Sequence, residues 1–211
     1  MCLVYMEQYN IRAAKAGPRI DPADRDARDF RRAVRAGDLA AVKSFLVRAR
    51  DIDINGIHTD PGGDRYGVTV LHEAALERRT EIACLLLALG ADPNADAPEH
   101  KSMFTPLHCA VKHQYDGNSK WGEKPLCSDL VRLLLDSGAD PNIPYMQQDW
   151  HDVEMGPVCN LLMERRDRTC QHTLDVIDLL ISRGLDVGLY ASEREYCSRT
   201  FNRYRRGKGA N

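Results

Sequence analysis

Four side chains could in principle hold a metal: His108, Cys109, His113 and Cys127. Imidazole and thiolate are zinc ligands, but a site needs them to converge. On a helix, His108 and His113 are about 500° apart and do not share a face. Cys109 is then better read as packing against a neighbour, and no metal is expected. Catalysis would need a nucleophile, a base and an orienting group meeting in a cleft. The chain has no GxSxG elbow and no glycine-rich phosphate loop. No catalytic residue and no cofactor is expected.

Other reactive groups point to an address. The seven cysteines are Cys2, Cys84, Cys109, Cys127, Cys159, Cys170 and Cys197. Their number is odd, their spacing is wide and there is no CxxC, which favours reduced thiols in a cytoplasmic or nuclear protein. No N-x-S/T sequon occurs. The first residues lack a basic region ahead of an apolar run, so no signal peptide is expected. Cys2 stands where N-myristoylation would need glycine. No run of eighteen or more apolar residues is present, so no membrane span is expected. Hydrophobic content of 43% fits a folded chain, and a net charge of −2 is too small to name a partner class.

Charge is concentrated at one end. From Ser192 onward, Arg194, Arg199, Arg203, Arg205, Arg206 and Lys208 outweigh Glu193 and Glu195, leaving +4. Basic residues mixed with aromatics can bind nucleic acid or an acidic surface. The competing reading is a capping helix with a solvated basic end. Ser192 and Glu195 form a capping box, and Tyr196, Cys197, Phe201 and Tyr204 share roughly one helical face.

The elements between these ends announce themselves by repetition. "LLLALGADPN" begins at Leu85 and "LLLDSGADPN" at Leu133, 48 residues later, with eight of ten letters shared. Three leucines close an apolar helix. Gly90 and Gly138 fall where it must stop, since glycine accepts the left-handed conformation of a helix C-terminus. Asp-Pro-Asn then makes a turn at Asp92 and again at Asp140. A second phrase alternates with the first: "TVLHEA" from Thr69 and "TPLHCA" from Thr105. Threonine caps a helix there, and Pro106 occupies a first helical position that needs no N–H.

These paired phrases resemble the ankyrin repeat, with its T-P-L-H-x-A signature and unit of about 33 residues. Two weaker units flank them. Upstream, Ala33, Gly37, Leu39, Val42, Phe45 and Leu46 match the helix–turn–helix part. Downstream, Pro157, Val158 and Cys159 stand in for Pro-Leu-His, and "SRGLDVG" for "SGADPN". The resemblance implies an all-α solenoid of about four stacked helix–turn–helix units, with hairpin-like finger loops and capping helices at both ends. Residues 1–27 form the N-terminal segment, partly helical, with a helix from Pro22 to about Ala36. Residues 28–190 form the repeat domain, with units near 28–60, 61–98, 99–146 and 147–190. Residues 191–211 form the C-terminal capping helix and basic tail. One such unit cannot bury its apolar face alone, so each presents the same helix ends to its neighbour.

Spacing departs from the pattern in known places. Leu71 to Gly90 spans 19 residues and Leu107 to Gly138 spans 31, so the third unit carries 12 extra between its helices. The fourth has about 7 extra near "RRDRTCQ". Such insertions either carry function or record drift.

By resemblance, His72 and His108 are structural, tied to Thr69 and Thr105. Function is then protein–protein recognition by a monomer, with the finger loops and inner helices forming one surface, in an adaptor, scaffold or inhibitor role. The first finger offers His58, Asp64, Arg65 and Tyr66. The second offers Asp96, Glu99, His100, Lys101 and Met103. The third offers Tyr145, Gln147, Gln148, Trp150 and His151. Inner helices add Glu73, Glu77, Lys112, His113, Asn160 and Glu164. Tyr66, Tyr145 and Trp150 are the expected anchors, because rigid aromatics offer area at low entropy cost. For Trp150, covering a local apolar seam competes with that role. Asn94 and Asn142, read as exposed, resemble the asparagines that asparaginyl hydroxylases modify in this family. Nucleic-acid or anionic-surface binding through the basic tail is the alternative function.

Overall fold

The computed structural model describes residues 19–20, 25–48, 53–58, 67–97, 105–111, 127–143, 145–147, 153–155 and 171–186. Seven helices dominate them. They are α1 (Arg25–Ala36), α2 (Leu39–Arg48), α3 (Val70–Leu76), α4 (Thr80–Ala88), α5 (Pro106–Val111), α6 (Ser128–Asp136) and α7 (Gln171–Ser182). α1 packs with α2, α3 with α4 and α5 with α6, each pair consecutive in the sequence. α1, α3 and α5 stack as one row, and α2, α4, α6 and α7 as a second. This is the all-α repeat architecture the two phrases imply.

The helix starts follow the threonine signal. Thr69 is extended, with φ −78° and ψ 163°, and caps α3. Its backbone N–H donates to His72 Nδ1 at 3.3 Å, and its hydroxyl lies 2.8 Å from the same nitrogen. Thr105 and His108 repeat this at 3.1 and 2.9 Å at the start of α5. An N–H can only donate, so Nδ1 of each ring is an acceptor and each histidine is neutral, with its proton on Nε2.

The helix ends follow the glycine signal. Gly138 takes φ +94° after α6. Its N–H donates to the Leu135 carbonyl at 3.1 Å, and that of Ala139 reaches the Leu134 carbonyl at 2.9 Å. This pair of bonds satisfies carbonyls that would otherwise end the helix unpartnered. Gly90 closes α4, and Gly184 closes α7, in the same way.

Packing joins the units into one interior. Phe30 and Val34 of α1, Leu71 of α3, Leu86 of α4, Leu107 of α5, Leu130 and Leu134 of α6 and Leu180 of α7 are essentially inaccessible to solvent. Each fully buried leucine contributes roughly 1.5–3 kcal/mol relative to exposure. The units are therefore not separable beads but share one core.

Short strands mark two of the connections. β1 (Arg19–Ile20) runs parallel to β2 (Ile57–His58), pairing Arg19 with Ile57 and Ile20 with His58. β3 (Tyr145–Gln147) and β4 (Val153–Met155) form an antiparallel hairpin, with Tyr145 opposite Met155 and Gln147 opposite Val153. The hairpin is a finger of the expected kind. The pairing of the N-terminal segment with the first finger is an addition to the expected fold. The expected C-terminal capping helix and basic tail lie outside the described residues.

Candidate functional site

The Asp-x-Asn turns do more than reverse the chain. Asp92 Oδ1 accepts from the Asn94 N–H at 2.8 Å, which fixes the turn. Asn94 then reaches the next unit: its Nδ2 donates to the Gly138 carbonyl at 2.9 Å, and its Oδ1 accepts from the Asp140 N–H at 2.7 Å. Asn55 makes the same pair of bonds with Gly90 and Asp92, at 3.0 and 2.8 Å. Asn142 makes it with Gly184 and Asp186, at 2.9 and 2.8 Å. Among the described residues, three rungs thus run along the stack, each placing one unit's turn against the next unit's helix end. The following Asp-x-Asn position reads Asp186-Val187-Gly188, so the sequence offers no fourth amide. Sequence reading took these turns as local; the bonds between units were missed because nothing in a single repeat shows them.

This corrects the reading of Asn94 and Asn142 as exposed. Both are half-buried, with both ends of each side-chain amide engaged.

Two further placements are corrected. Glu73, expected on the recognition surface, is fully buried. Its Oε1 accepts from Arg31 Nε at 2.8 Å and Nη2 at 2.5 Å, and Arg35 Nε lies 3.6 Å from Oε2. The helix of the preceding unit covers it, which a wheel drawn on α3 alone cannot reveal. His58, expected at a finger, is 4% exposed and sits in β2, bridged to Val68. Glu77 and Asp96 are half-buried. Burial raises the Asp96 carboxyl pKa, against a backbone hydrogen bond from Ala97 that lowers it.

Tyr145 and Gln147 lie in β3, whose backbone alone is described. Asp64, Arg65, Tyr66, Glu99, His100, Lys101 and Met103 lie outside the described residues, as do Lys112, His113, Gln148, Trp150, His151, Asn160 and Glu164. β3 and β4 bracket Gln148, Trp150 and His151 in the sequence.

The reactive side chains are placed for packing. His108 is buried, and desolvation first, then the nearby His72, push its pKa down to about 3, while a backbone hydrogen bond with Ile143 acts the other way. Cys109 is buried, and Cys127 Sγ lies 3.4 Å from the Thr80 hydroxyl. Among the described residues, no three His, Cys, Asp or Glu side chains gather as a metal site. No described helix is long and apolar enough to cross a membrane.

Comparison with known proteins agrees with this architecture. A family model for ankyrin repeats, in three copies, matches residues 30–145. Protein phosphatase 1 regulatory subunit 27 of Mus musculus is 33% identical over 107 residues, covering 51% of this chain and 55% of that protein. An ankyrin repeat, SAM and basic leucine zipper domain-containing protein 1 from Carollia perspicillata is 29% identical over 136 residues, covering 64% of this chain and 25% of that protein. Human ankyrin repeat and SOCS box protein 3 is 26% identical over 118 residues, covering 55% and 18%. The match spans about half the length of the first relative and a quarter or less of the other two.

Proposed function

The chain belongs to the ankyrin-repeat family, and on that premise we propose that it is a non-catalytic module that binds a partner protein. Binding in this reading uses the surface made by the finger loops and the ends of the inner helices; Val70–Ala75 of α3 and all of α5 are buried within the stack. The observation that carries it is the division of labour along each unit. The helices and the asparagine rungs are consumed in holding the stack. The connections differ in length: Asn55 to Leu71 spans 16 residues, Asn94 to Leu107 spans 13, and Asn142 to Val158, which holds the β3–β4 hairpin, spans 16. Stacked units of this kind make extended surfaces without a catalytic cleft. One similar protein is named as a regulatory subunit of a phosphatase, which supports action through another protein. Free thiols at Cys84, Cys109 and Cys127 support a reducing compartment, cytoplasm or nucleus.

The test is affinity capture from nuclease-treated lysate of the source cell. It compares the full chain, residues 1–191, and a Tyr66→Ala, Tyr145→Ala, Trp150→Ala variant. A partner lost with the triple variant and kept by 1–191 supports the finger surface. A partner lost with the tail, or with nuclease treatment, replaces this reading by the tail-binding one. We extend the proposal to Asn94 and Asn142 as substrates of an asparaginyl hydroxylase, which must release a rung to reach its target. Only unmodified asparagine at both, by mass spectrometry of the protein from its native source, removes that part.

A further inference from the structure

The first rung differs from the other two in the residue that follows its asparagine. Gly56 follows Asn55, whereas Ala95 follows Asn94 and Ile143 follows Asn142; no other Asn-Gly step occurs in the chain. A glycine in that place leaves the next backbone nitrogen unshielded by a Cβ and free to adopt the geometry of attack on the side-chain amide. The fold opposes that attack at each atom involved. Asn55 Nδ2 and Oδ1 are held by Gly90 and Asp92 at 3.0 and 2.8 Å. The Gly56 N–H, the would-be nucleophile, donates to the Asp53 carbonyl at 3.1 Å, and Gly56 is buried. The same rung ties the first unit to the second, beside the Arg31–Glu73 pair and the bonds from Arg79 to the Arg35 carbonyl at 3.2 and 3.1 Å. End units of a solenoid are held by one neighbour only and open first.

We infer that Asn55–Gly56 is a conformation-gated deamidation site, closed while the first unit is docked and reactive once it lifts away. In the open state the Gly56 nitrogen attacks Asn55 Cγ. The N–Cγ bond forms, the Cγ–Nδ2 bond breaks, the Gly56 amide proton is lost and ammonia leaves. Water then opens the cyclic imide to aspartate or isoaspartate, with no change of oxidation state. Either product loses the Nδ2 donor that faced the Gly90 carbonyl: aspartate puts an oxygen in its place, and isoaspartate carries the backbone through Cγ. It also adds a negative charge beside Asp53, whose carboxylate already accepts from the Asn55 N–H at 2.9 Å. The first joint cannot reform as before, so a transient opening becomes permanent. This inference is independent of the partner reading.

The test ages the full chain in mildly alkaline buffer, native or in urea, and maps Asn55, Asn94 and Asn142 by peptide mass spectrometry. Native Asn55 should convert more than about tenfold more slowly than in urea, a scale set by two lost hydrogen bonds. Glu73→Gln, which weakens the first joint, should raise the native rate. Asn94 and Asn142 should persist under both conditions. The converted fraction should lose amide-exchange protection in α1 and α2 and keep it in α4 and α6. Equal Asn55 rates with and without urea would overturn the gating, and unchanged α1–α2 protection would overturn the consequence. Gly56→Ala, measured in urea where folding does not matter, should suppress conversion; a wild-type rate there would overturn the chemistry.

Discussion

Protonating His108 means placing a charge in a fully desolvated site, next to His72, while both donors from Thr105 aim at the nitrogen that would have to accept the proton. Its folded pKa, down to about 3, lies below the ordinary 6.5. Between these values the unfolded chain binds more protons than the folded one, so folding stability falls as pH falls. The stability is complete above about 6.5 and drains by up to about 1.4 kcal/mol per pH unit toward pH 3. Urea midpoints across that window should show this slope in the wild type and a shallower one in His108→Asn, whatever that variant's stability at neutral pH. Asn94 gives a second test. Asn94→Ala strands the Gly138 carbonyl and the Asp140 N–H and should cost about 1–3 kcal/mol in urea unfolding. An effect below about 0.5 kcal/mol would show that water replaces the rung.

Whole helices were legible because their ends are written in a few constrained letters. Thr-x-x-His starts α3 and α5, and Leu-Leu-Leu followed by a left-handed glycine ends α4 and α6. Gly138 has no atom within 4 Å of where a Cβ would stand, so Gly138→Ala tests backbone conformation alone. It should cost about 1 kcal/mol in chemical denaturation and leave contacts untouched. The unit with the long insertion was legible too: α5 ends at Val111 and α6 begins at Ser128, whereas only three residues separate α3 from α4. What could not be read was any contact between units. Glu73 looks like an exposed acid on its own helix, yet it is buried and pairs with Arg31 and Arg35 of α1. The asparagine rungs and the β1–β2 pairing share that origin, since each depends on residues more than thirty positions away.

Across the molecule, the buried Arg31–Glu73 pair couples the first unit to the second. Removing one partner of such a pair leaves the other charge desolvated, and Glu73→Ala should cost about 3–5 kcal/mol. In a stack held by neighbour contacts the loss should be local first. Hydrogen exchange should show α1 and α2 opening while α4, α6 and α7 retain protection; uniform loss over all helices would mean one indivisible folding unit. If the connecting loops and the ends of the inner helices recognise a protein, a bound partner should shield them. Hydrogen-exchange mapping on the purified complex with the captured partner measures that shielding. Protection is expected over residues 58–68, 96–105 and 145–155, with the outer helices α2, α4 and α6 unchanged. Protection confined to those outer helices, or to residues beyond 191, would contradict it.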